Sequence, residues 1–210
     1  MHRYCFYIDG FNVYHALNKE RLRGKKGRFP YRKYKWLNYR KLAESVIGPK
    51  DQIEGIFYFT AFAYWKPEKV VRHKQYIKVL QSVGVETIRG RFMRKETECH
   101  LCHRVFVTHE EKRTDVNIAI KLLIDAVEDR YDKALIISAD SDLLPAIIAV
   151  RNCAPEKELG VMFPIGRGNF ELREKANFRR KMSEELLRQT QFPDKVPVGD
   201  EIIERPANWS

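Results

Sequence analysis

Two aspartates stand directly after an apolar run in the stretch ALIISADSDLLPAII, residues 134–148. Residues 133–138 have the composition of a short buried strand. Asp140 and Asp142 would then lie at the rim of the core, where burial and mutual repulsion disfavour two ionised carboxylates. Such a pair either caps the helix that follows or binds a cation.

Two further aspartates are expected at the same place. Asp9 ends the apolar segment 3–8, and Asp115 falls in the first turn of the helix predicted over 114–130. Singly, Asp9 could serve a turn and Asp115 could favour a helix N-terminus. If the two strands are parallel neighbours, however, all four acids meet at one sheet edge. Capping does not require this convergence, so the acids predict a Mg²⁺ or Mn²⁺ site suited to phosphodiester cleavage.

The elements that must position these acids alternate between strand and helix. The strands predicted from composition are 3–8, 53–62, 85–90, 133–138 and 158–163, and the clearest helices are 38–47, 66–84 and 114–130. Alternation of this kind implies right-handed crossovers and a sheet covered on both faces. The sequence thus predicts an α/β domain over 1–190 with a mainly parallel five-stranded sheet. Residues 191–210 are expected to form a poorly ordered tail.

A basic insertion follows the first acidic segment. Residues 21–36 hold eight Lys or Arg, and Phe29, Tyr31, Tyr34 and Trp36 are interleaved with them. The cations, Arg28 and Lys33 among them, could bind RNA phosphates while the aromatics stack on unpaired bases. Alternatively, the segment is a solvated loop whose Tyr and Trp pack on the domain. Arg167, after the last predicted strand, is a further candidate for phosphate binding.

A second insertion, residues 91–110, carries cysteines and histidines. Cys99 and Cys102 form one C-x2-C pair, which offers two of the four ligands of a structural zinc site. His109 or His103 could supply the third, and the fourth could come from His73, another His or a second chain. The alternative is a thiol pair that binds no metal.

The composition limits the classes of partner that the protein is expected to bind. The chain of 210 residues has a formal net charge of +11 and a pI of about 9.5. This charge favours a nucleic-acid partner, although a general cationic bias would look the same. No apolar run reaches the ~18–20 residues of a membrane span, and the N-terminus does not resemble a signal peptide. Since nothing suggests a disulfide scaffold, we expect a cytoplasmic protein without membrane contact, with a homodimer as an open possibility.

The stretches YIDGFNVYHAL, KRTDVNIAIKLLIDA and ALIISADSDLLPAI resemble, in this order, the three motifs of the NYN domain family. These are PIN-like ribonucleases that include LabA-like bacterial proteins, and the resemblance covers about residues 3–180. It implies a three-layer α/β/α fold, of PIN-like or Rossmann-like type, and metal-dependent RNA cleavage. Ala139 and Leu143 stand where the family often has Gly and Phe, and these changes leave the acids intact.

The resemblance also implies roles for single residues. Asp9, Asp115, Asp140 and Asp142 would be the metal-binding and catalytic acids. Polar neighbours would contact substrate or water, and these are Asn12, Asn117 and Ser141.

Three functions are to be compared with these features. The first is a Mg²⁺- or Mn²⁺-dependent ribonuclease acting on single-stranded RNA. The second is a non-catalytic RNA-binding or adaptor protein on the same fold. The third, a phosphatase of the haloacid-dehalogenase type, needs Asp-x-Asp after the first strand, whereas this chain has DGFN there.

Overall fold

The computed structural model describes residues 1–19 and 31–209, together with the backbone of 21–23 and 26–28. Its strands are β1 (Arg3–Asp9), β2 (Arg21–Arg23), β3 (Lys26–Arg28), β4 (Gln52–Thr60), β5 (Glu86–Arg89), β6 (Arg91–Glu98), β7 (Val105–Lys112), β8 (Lys133–Ile137), β9 (Glu158–Phe163), β10 (Phe178–Lys181), β11 (Lys195–Val198) and β12 (Glu201–Glu204). Its α-helices are α1 (Gly10–Leu17), α2 (Tyr39–Glu44), α3 (Pro67–Ser82), α4 (Thr114–Val127), α5 (Leu144–Cys153), α6 (Phe170–Lys175) and α7 (Glu184–Gln189).

The central sheet is parallel and has the strand order β10-β9-β8-β1-β4-β5. From β1 the chain proceeds outward through β4 and β5, and it later returns to the other side of β1 as β8. The strand order therefore reverses between β1 and β8, which is where open α/β sheets bind ligands. The predicted five strands are present. The sixth, β10, was missed because its sequence FRRK is basic and largely exposed, as suits an edge strand.

Alternate side chains of β1 enter two cores, one on each face of the sheet. Phe6 and Ile8 pack with the helices α1, α2, α3 and α7. Cys5 and Tyr7 pack with α4, α5 and α6 on the opposite face. This period of two along the strand gives the three layers that were expected. Tyr7 also donates a 2.7 Å hydrogen bond to the fully buried carboxylate of Asp125 on α4, which links strand and helix.

The C-terminal stretch is ordered where a loose tail was predicted. β11 and β12 form an antiparallel hairpin, and Val196 and Ile203 enter the first core. The Trp209 ring lies 5.4 Å from that of Tyr76. Short strands that contain proline carry a weak pattern in sequence, so only the packing partners reveal this element.

Two aromatic side chains of the basic insertion lie in the core, and a third belongs to a residue that the structure does not describe. Trp36 is fully buried, donates its indole N–H to the Pro193 carbonyl and packs on Tyr76. Tyr34 is also buried. For these two residues, packing on the domain is correct and base stacking is wrong. Phe29 and the Arg28 side chain lie outside the described residues.

Within the described part of the chain, no helix combines the length and apolarity needed to cross a lipid bilayer.

Candidate active site

Asp9 lies at the carboxyl end of β1, directly beside β8. The register pairs Ile8 with Ile137, so the next residues, Asp9 and Ser138, face each other across the two strands. The Ser138 hydroxyl donates to Asp9 Oδ2 at 2.8 Å, and the Asn12 amide donates to Asp9 Oδ1 at 2.9 Å. Burial raises the pKa of Asp9, these two donors oppose that rise, and the nearby Asp140 adds to it. The carboxylate is only 3% exposed and is held in one orientation.

Gly10 permits this arrangement because α1 begins against the neighbouring strand. A Cβ at Gly10 would lie 2.6 Å from the Phe59 carbonyl oxygen and 2.7 Å from the Tyr58 ring. Contacts this short with backbone cannot be relieved by a side-chain rotation. A glycine after Asp9 is thus required by close approach of the chain.

Asp140 is presented by a tight 3-10 turn, residues Ser141–Leu143, which leads into α5. Its backbone N–H donates to the Ser138 hydroxyl at 3.1 Å, and its side chain accepts from the Asp142 amide at 3.1 Å. Asp9 and Asp140 therefore do cap the helical segments that follow them. Asp9 and Asp140 thus both cap a helical segment and lie close to each other, because the Ser138 hydroxyl is hydrogen-bonded to both residues.

Asp115 reaches the same place from a separate helix. It lies in the first turn of α4, whose N-cap Arg113 makes no capping hydrogen bond through its side chain. Burial, followed by the charges of Asp9, Asp140, Glu111 and Asp142, raises the pKa of Asp115 from 3.8 to about 6. Asp115 thus has no capping role and bears a cost from like charges.

One carboxylate oxygen each from Asp9, Asp115 and Asp140 lies within 4.8 Å of the other two. Three oxygen donors this close suit a hard divalent cation, whose charge would remove their repulsion. Asp142 is exposed and lies outside this group, although its charge still acts on Asp115. The predicted set of four acids is therefore a set of three with Asp142 at its margin.

Glu111 is a site residue that sequence reasoning missed. It lies near the end of β7, and its side chain accepts from the Thr114 amide at 3.2 Å and from the Thr114 hydroxyl. Its charge acts on both Asp9 and Asp115. The available signal was a carboxylate three residues before the first residue of a helix. The β6–β7 hairpin thus supplies an acid at the margin of the centre.

The polar residues expected to bind substrate differ in position. Asn12 lines the site, but its side-chain oxygen accepts from the Ala139 amide at 3.3 Å and so supports the Asp140 turn. The Asn117 side chain instead points to the Arg89 carbonyl at 3.5 Å, and Ser141 is exposed outside the lining of the site. Arg167 lines the site together with Asp140.

The predicted zinc site is not formed by the described residues. In the β6–β7 hairpin His109 pairs with Arg94, five positions along the strand from Cys99, and its ring stacks on Trp65 at 3.7 Å. His109 as the third ligand is therefore wrong, because the strand separates it from the cysteines at the hairpin tip. His103 instead contacts Glu98 at 2.6 Å. Cys99 and Cys102 are free thiols.

A cavity of about 630 Å³ extends from the carboxylates. Aromatic side chains form much of its wall, namely Phe11, Tyr14, Tyr39, Tyr58, Trp65, Tyr76, Phe92 and Trp209. Its lining also includes the basic residues Lys35, Lys66, Lys69 and Arg72. A ligand in this cavity would meet both signs of charge. Lys33, by contrast, is exposed and lies over the Tyr34 ring outside the lining.

Fold and site together define a doubly wound parallel α/β domain with an acidic centre at its topological switch point. The family model described as the NYN domain matches residues 3–176. The chain therefore belongs to the NYN domain family, a PIN-like nuclease family, as the three motifs implied.

Two known proteins are similar over most of the chain. The 6-hydroxy-3-succinoylpyridine 3-monooxygenase of Pseudomonas putida is 25% identical over 243 aligned residues, which cover 97% of this chain and 74% of that protein. A crystal structure of a protein of unknown function from Vibrio parahaemolyticus covers 88% of this chain and 94% of its own. Its TM-score is 0.61 at 14% sequence identity, so this likeness concerns the fold alone.

Proposed function

We propose that the protein is a metal-dependent ribonuclease that hydrolyses phosphodiester bonds of single-stranded RNA. The observation that carries this proposal is the convergence of Asp9, Asp115 and Asp140 on one point, with their oxygens within 4.8 Å of one another. An all-oxygen donor set favours Mg²⁺ or Mn²⁺ over softer metals. A cation bound there would supply an activated water and neutralise charge on the scissile phosphate.

The protein's own residues prepare this site. Ser138 donates to Asp9 and accepts from the Asp140 backbone, so one hydroxyl fixes two of the three acids. Asp142 and Glu111, at the margin, would orient water around the centre. Arg167 lines the site from the loop after β9 and is suited to contact a substrate phosphate.

A single-stranded substrate is supported by the rim of the cavity. Tyr64 is 68% exposed and Trp65 is 38% exposed, and both precede Lys66. Exposed aromatic rings beside a cation suit unpaired bases and backbone phosphates. The net charge of +11 adds attraction that should weaken with salt.

The test is a cleavage assay on a labelled single-stranded RNA, first in EDTA and then with Mg²⁺ or Mn²⁺ added back. We expect cleavage only with the metal, and we expect Asp140→Asn to reduce it by at least about a thousand-fold, in the range seen for essential catalytic groups. The matched control is Asp200→Asn, the same change at an exposed position between β11 and β12. Cleavage by Asp140→Asn at the wild-type rate would reject the site.

The assay also separates the non-catalytic alternative. A protein that only binds RNA would retain the RNA intact with every metal, and Asp140→Asn would leave the RNA uncut as before.

A second candidate activity is oxygenation of a small hydroxylated aromatic acid. It is favoured by the match of the Pseudomonas monooxygenase along 97% of this chain and by the aromatic wall of the cavity. Such a reaction consumes dioxygen and two electrons from a donor. Substrate-dependent oxygen uptake with 6-hydroxy-3-succinoylpyridine and a reduced nicotinamide nucleotide would support it, and cleavage of RNA without such uptake would exclude it.

A further inference from the structure

Lys35 is a buried cation inside the cavity that the acidic centre does not use. It is 5% exposed and lies just after the 3-10 turn Arg32–Tyr34. Its ammonium donates to Asn18 Oδ1 at 2.7 Å and lies 4.4 Å from the centre of the Tyr14 ring. Among the described residues, no carboxylate lies within 4.0 Å of it. A buried ammonium with only neutral partners is costly unless an anion joins it.

The charged groups that act on the pKa of Lys35 are all basic. Burial, followed by repulsion from Arg32, Lys69 and Arg72, lowers the pKa of Lys35 to about 8. Burial and the same kind of neighbours lower the pKa of Lys69 as well. Lys69 and Arg72 come from the first two turns of α3 and line the cavity beside Lys35. Three cations from two separate segments thus converge without a counter-ion in the described structure.

The usual explanation of a group of basic residues is a solvated surface, and it fails for Lys35. A solvated lysine keeps its ammonium group in water, whereas Lys35 is buried next to other positive charges. Here the positive charges line the same cavity as the carboxylates Asp9, Asp115 and Asp140. The two charged groups of residues do not pair with each other, so a ligand that spans the cavity would contact both.

We propose that Lys35, Lys69 and Arg72 bind the terminal phosphate monoester of an RNA strand whose scissile phosphodiester lies at the carboxylate centre. This inference rests on the proposed ribonuclease function and names its substrate as an RNA with a phosphorylated end. A phosphate monoester carries a charge of about −1.5 to −2 at neutral pH. A diester inside the strand carries only one charge and would leave the three cations undercompensated.

The position of the cations also favours a strand end. Tyr76 and Trp209 line the cavity together with Lys35, and Tyr76 is 4% exposed, so core residues form part of this wall. A terminal group can end at such a wall, whereas an internal phosphate requires room for the strand to continue. The aromatic side chains lining the cavity would pack on the base or ribose of the terminal nucleotide.

Binding is measured with the wild-type protein in EDTA, so that no turnover occurs. Three oligonucleotides of one sequence are compared, carrying a 5′-phosphate, a 3′-phosphate or hydroxyls at both ends. We expect one phosphorylated end to bind at least about ten-fold more tightly than the hydroxyl ends, which corresponds to about 1.4 kcal/mol. A nucleoside monophosphate, tested against the nucleoside as a competitor, distinguishes a strand end from a free nucleotide.

The variants Lys35→Gln and Arg72→Gln should each abolish the preference for the phosphorylated end and leave affinity for the hydroxyl-ended RNA within about two-fold. Arg72 is half-buried on the helix surface, so its variant serves if the change at Lys35 disturbs folding. The control is Lys74→Gln, the same loss of charge on α3 at an exposed residue that does not line the cavity.

Equal affinity for phosphorylated and hydroxyl ends overturns the proposal, as does an equal loss of affinity for all three oligonucleotides in the variants. Displacement of RNA by a small aromatic carboxylate but not by a nucleoside monophosphate also overturns it. Failure of the ribonuclease proposal would be seen independently of failure of the phosphate pocket. RNA that stays uncut but binds by its phosphorylated end supports the pocket alone, and RNA that is cut without end preference supports the ribonuclease alone.

Discussion

Replacing Asp115 by asparagine should stabilise the metal-free protein. At neutral pH this carboxylate is ionised, although burial and the neighbouring negative charges disfavour its ionised form. Its pKa is raised from 3.8 to about 6 by burial and by the charges of Asp9, Asp140 and Glu111. At a pH between these two values, Asp115 keeps a proton in the folded protein that it has lost in the unfolded chain. Stability therefore falls as the pH rises from about 4 to 6, and the cost is complete above that range.

The magnitude follows from the difference of about two units between the pKa of Asp115 in the folded protein and its ordinary value. At ~1.36 kcal/mol per unit the upper limit is about 3 kcal/mol. Asp115 is only half-buried, so water screens part of this cost. Its loss from the first turn of α4 also removes a favourable helix-dipole interaction of ~0.3–1 kcal/mol. A net gain of about 1–2 kcal/mol is left, which raises the melting temperature by about 2–8 °C in a chain of this size.

The assay is thermal unfolding in EDTA at about pH 7.5 and about pH 5, with Asp200→Asn as the control for an exposed aspartate. The stabilisation should be present at the higher pH and shrink at the lower one, where wild-type Asp115 is itself protonated. Saturating Mg²⁺ should reduce or reverse the difference, since the cation stabilises wild type more than the variant. An Asp115→Asn protein that melts at or below the wild-type temperature in EDTA at pH 7.5 would refute the electrostatic reasoning.

Three further substitutions test the supports of the site. Ser138→Ala removes the donor to Asp9, so it should cost about 1–3 kcal/mol in urea unfolding and weaken Mg²⁺ binding about ten-fold by calorimetry; unchanged Mg²⁺ affinity would contradict the orienting role. Gly10→Ala should destabilise the fold by more than about 2 kcal/mol, because its Cβ meets a backbone carbonyl of β4 at 2.6 Å; a wild-type unfolding midpoint would show that the two segments can separate. Tyr7→Phe leaves the buried carboxylate of Asp125 with one donor fewer and should lower stability by about 1–3 kcal/mol without changing kcat, since Tyr7 does not line the cavity.

The convergence of three acids could be predicted because it depends on few conditions. The apolar segments around residues 3–8 and 133–138 are short and β-branched or aromatic, and alternation with helices makes them parallel. Neighbouring parallel strands present their carboxyl ends at one edge, so Asp9 and Asp140 had to be close once β1 and β8 were adjacent. The family motifs pointed to the same residues.

The predictions that failed concern packing across distant segments. Trp36 lies within a basic stretch, yet it is buried by Phe192 and Trp209, more than 150 residues away in sequence. Asp142 was expected among the clustered acids and Glu111 was not, yet a 3-10 turn leaves Asp142 exposed while the Glu111 side chain accepts from the Thr114 amide beside the site. Local patterns contain neither contact.

The sequence by itself determined the α/β class and the parallel direction of the main strands, and it gave Asp9, Asp115 and Asp140 among the four acids expected at one sheet edge, because hydrophobic periodicity and strand-end position are local properties of the chain. Only the tertiary structure decided which cations face those acids. Lys35 and Arg72 are 37 residues apart in sequence and lie near each other because Lys35, just after the Arg32–Tyr34 turn, and the first turns of α3 line the same cavity. Electrostatic energy depends on distance through space and on exclusion of water, and neither can be read from the order of residues.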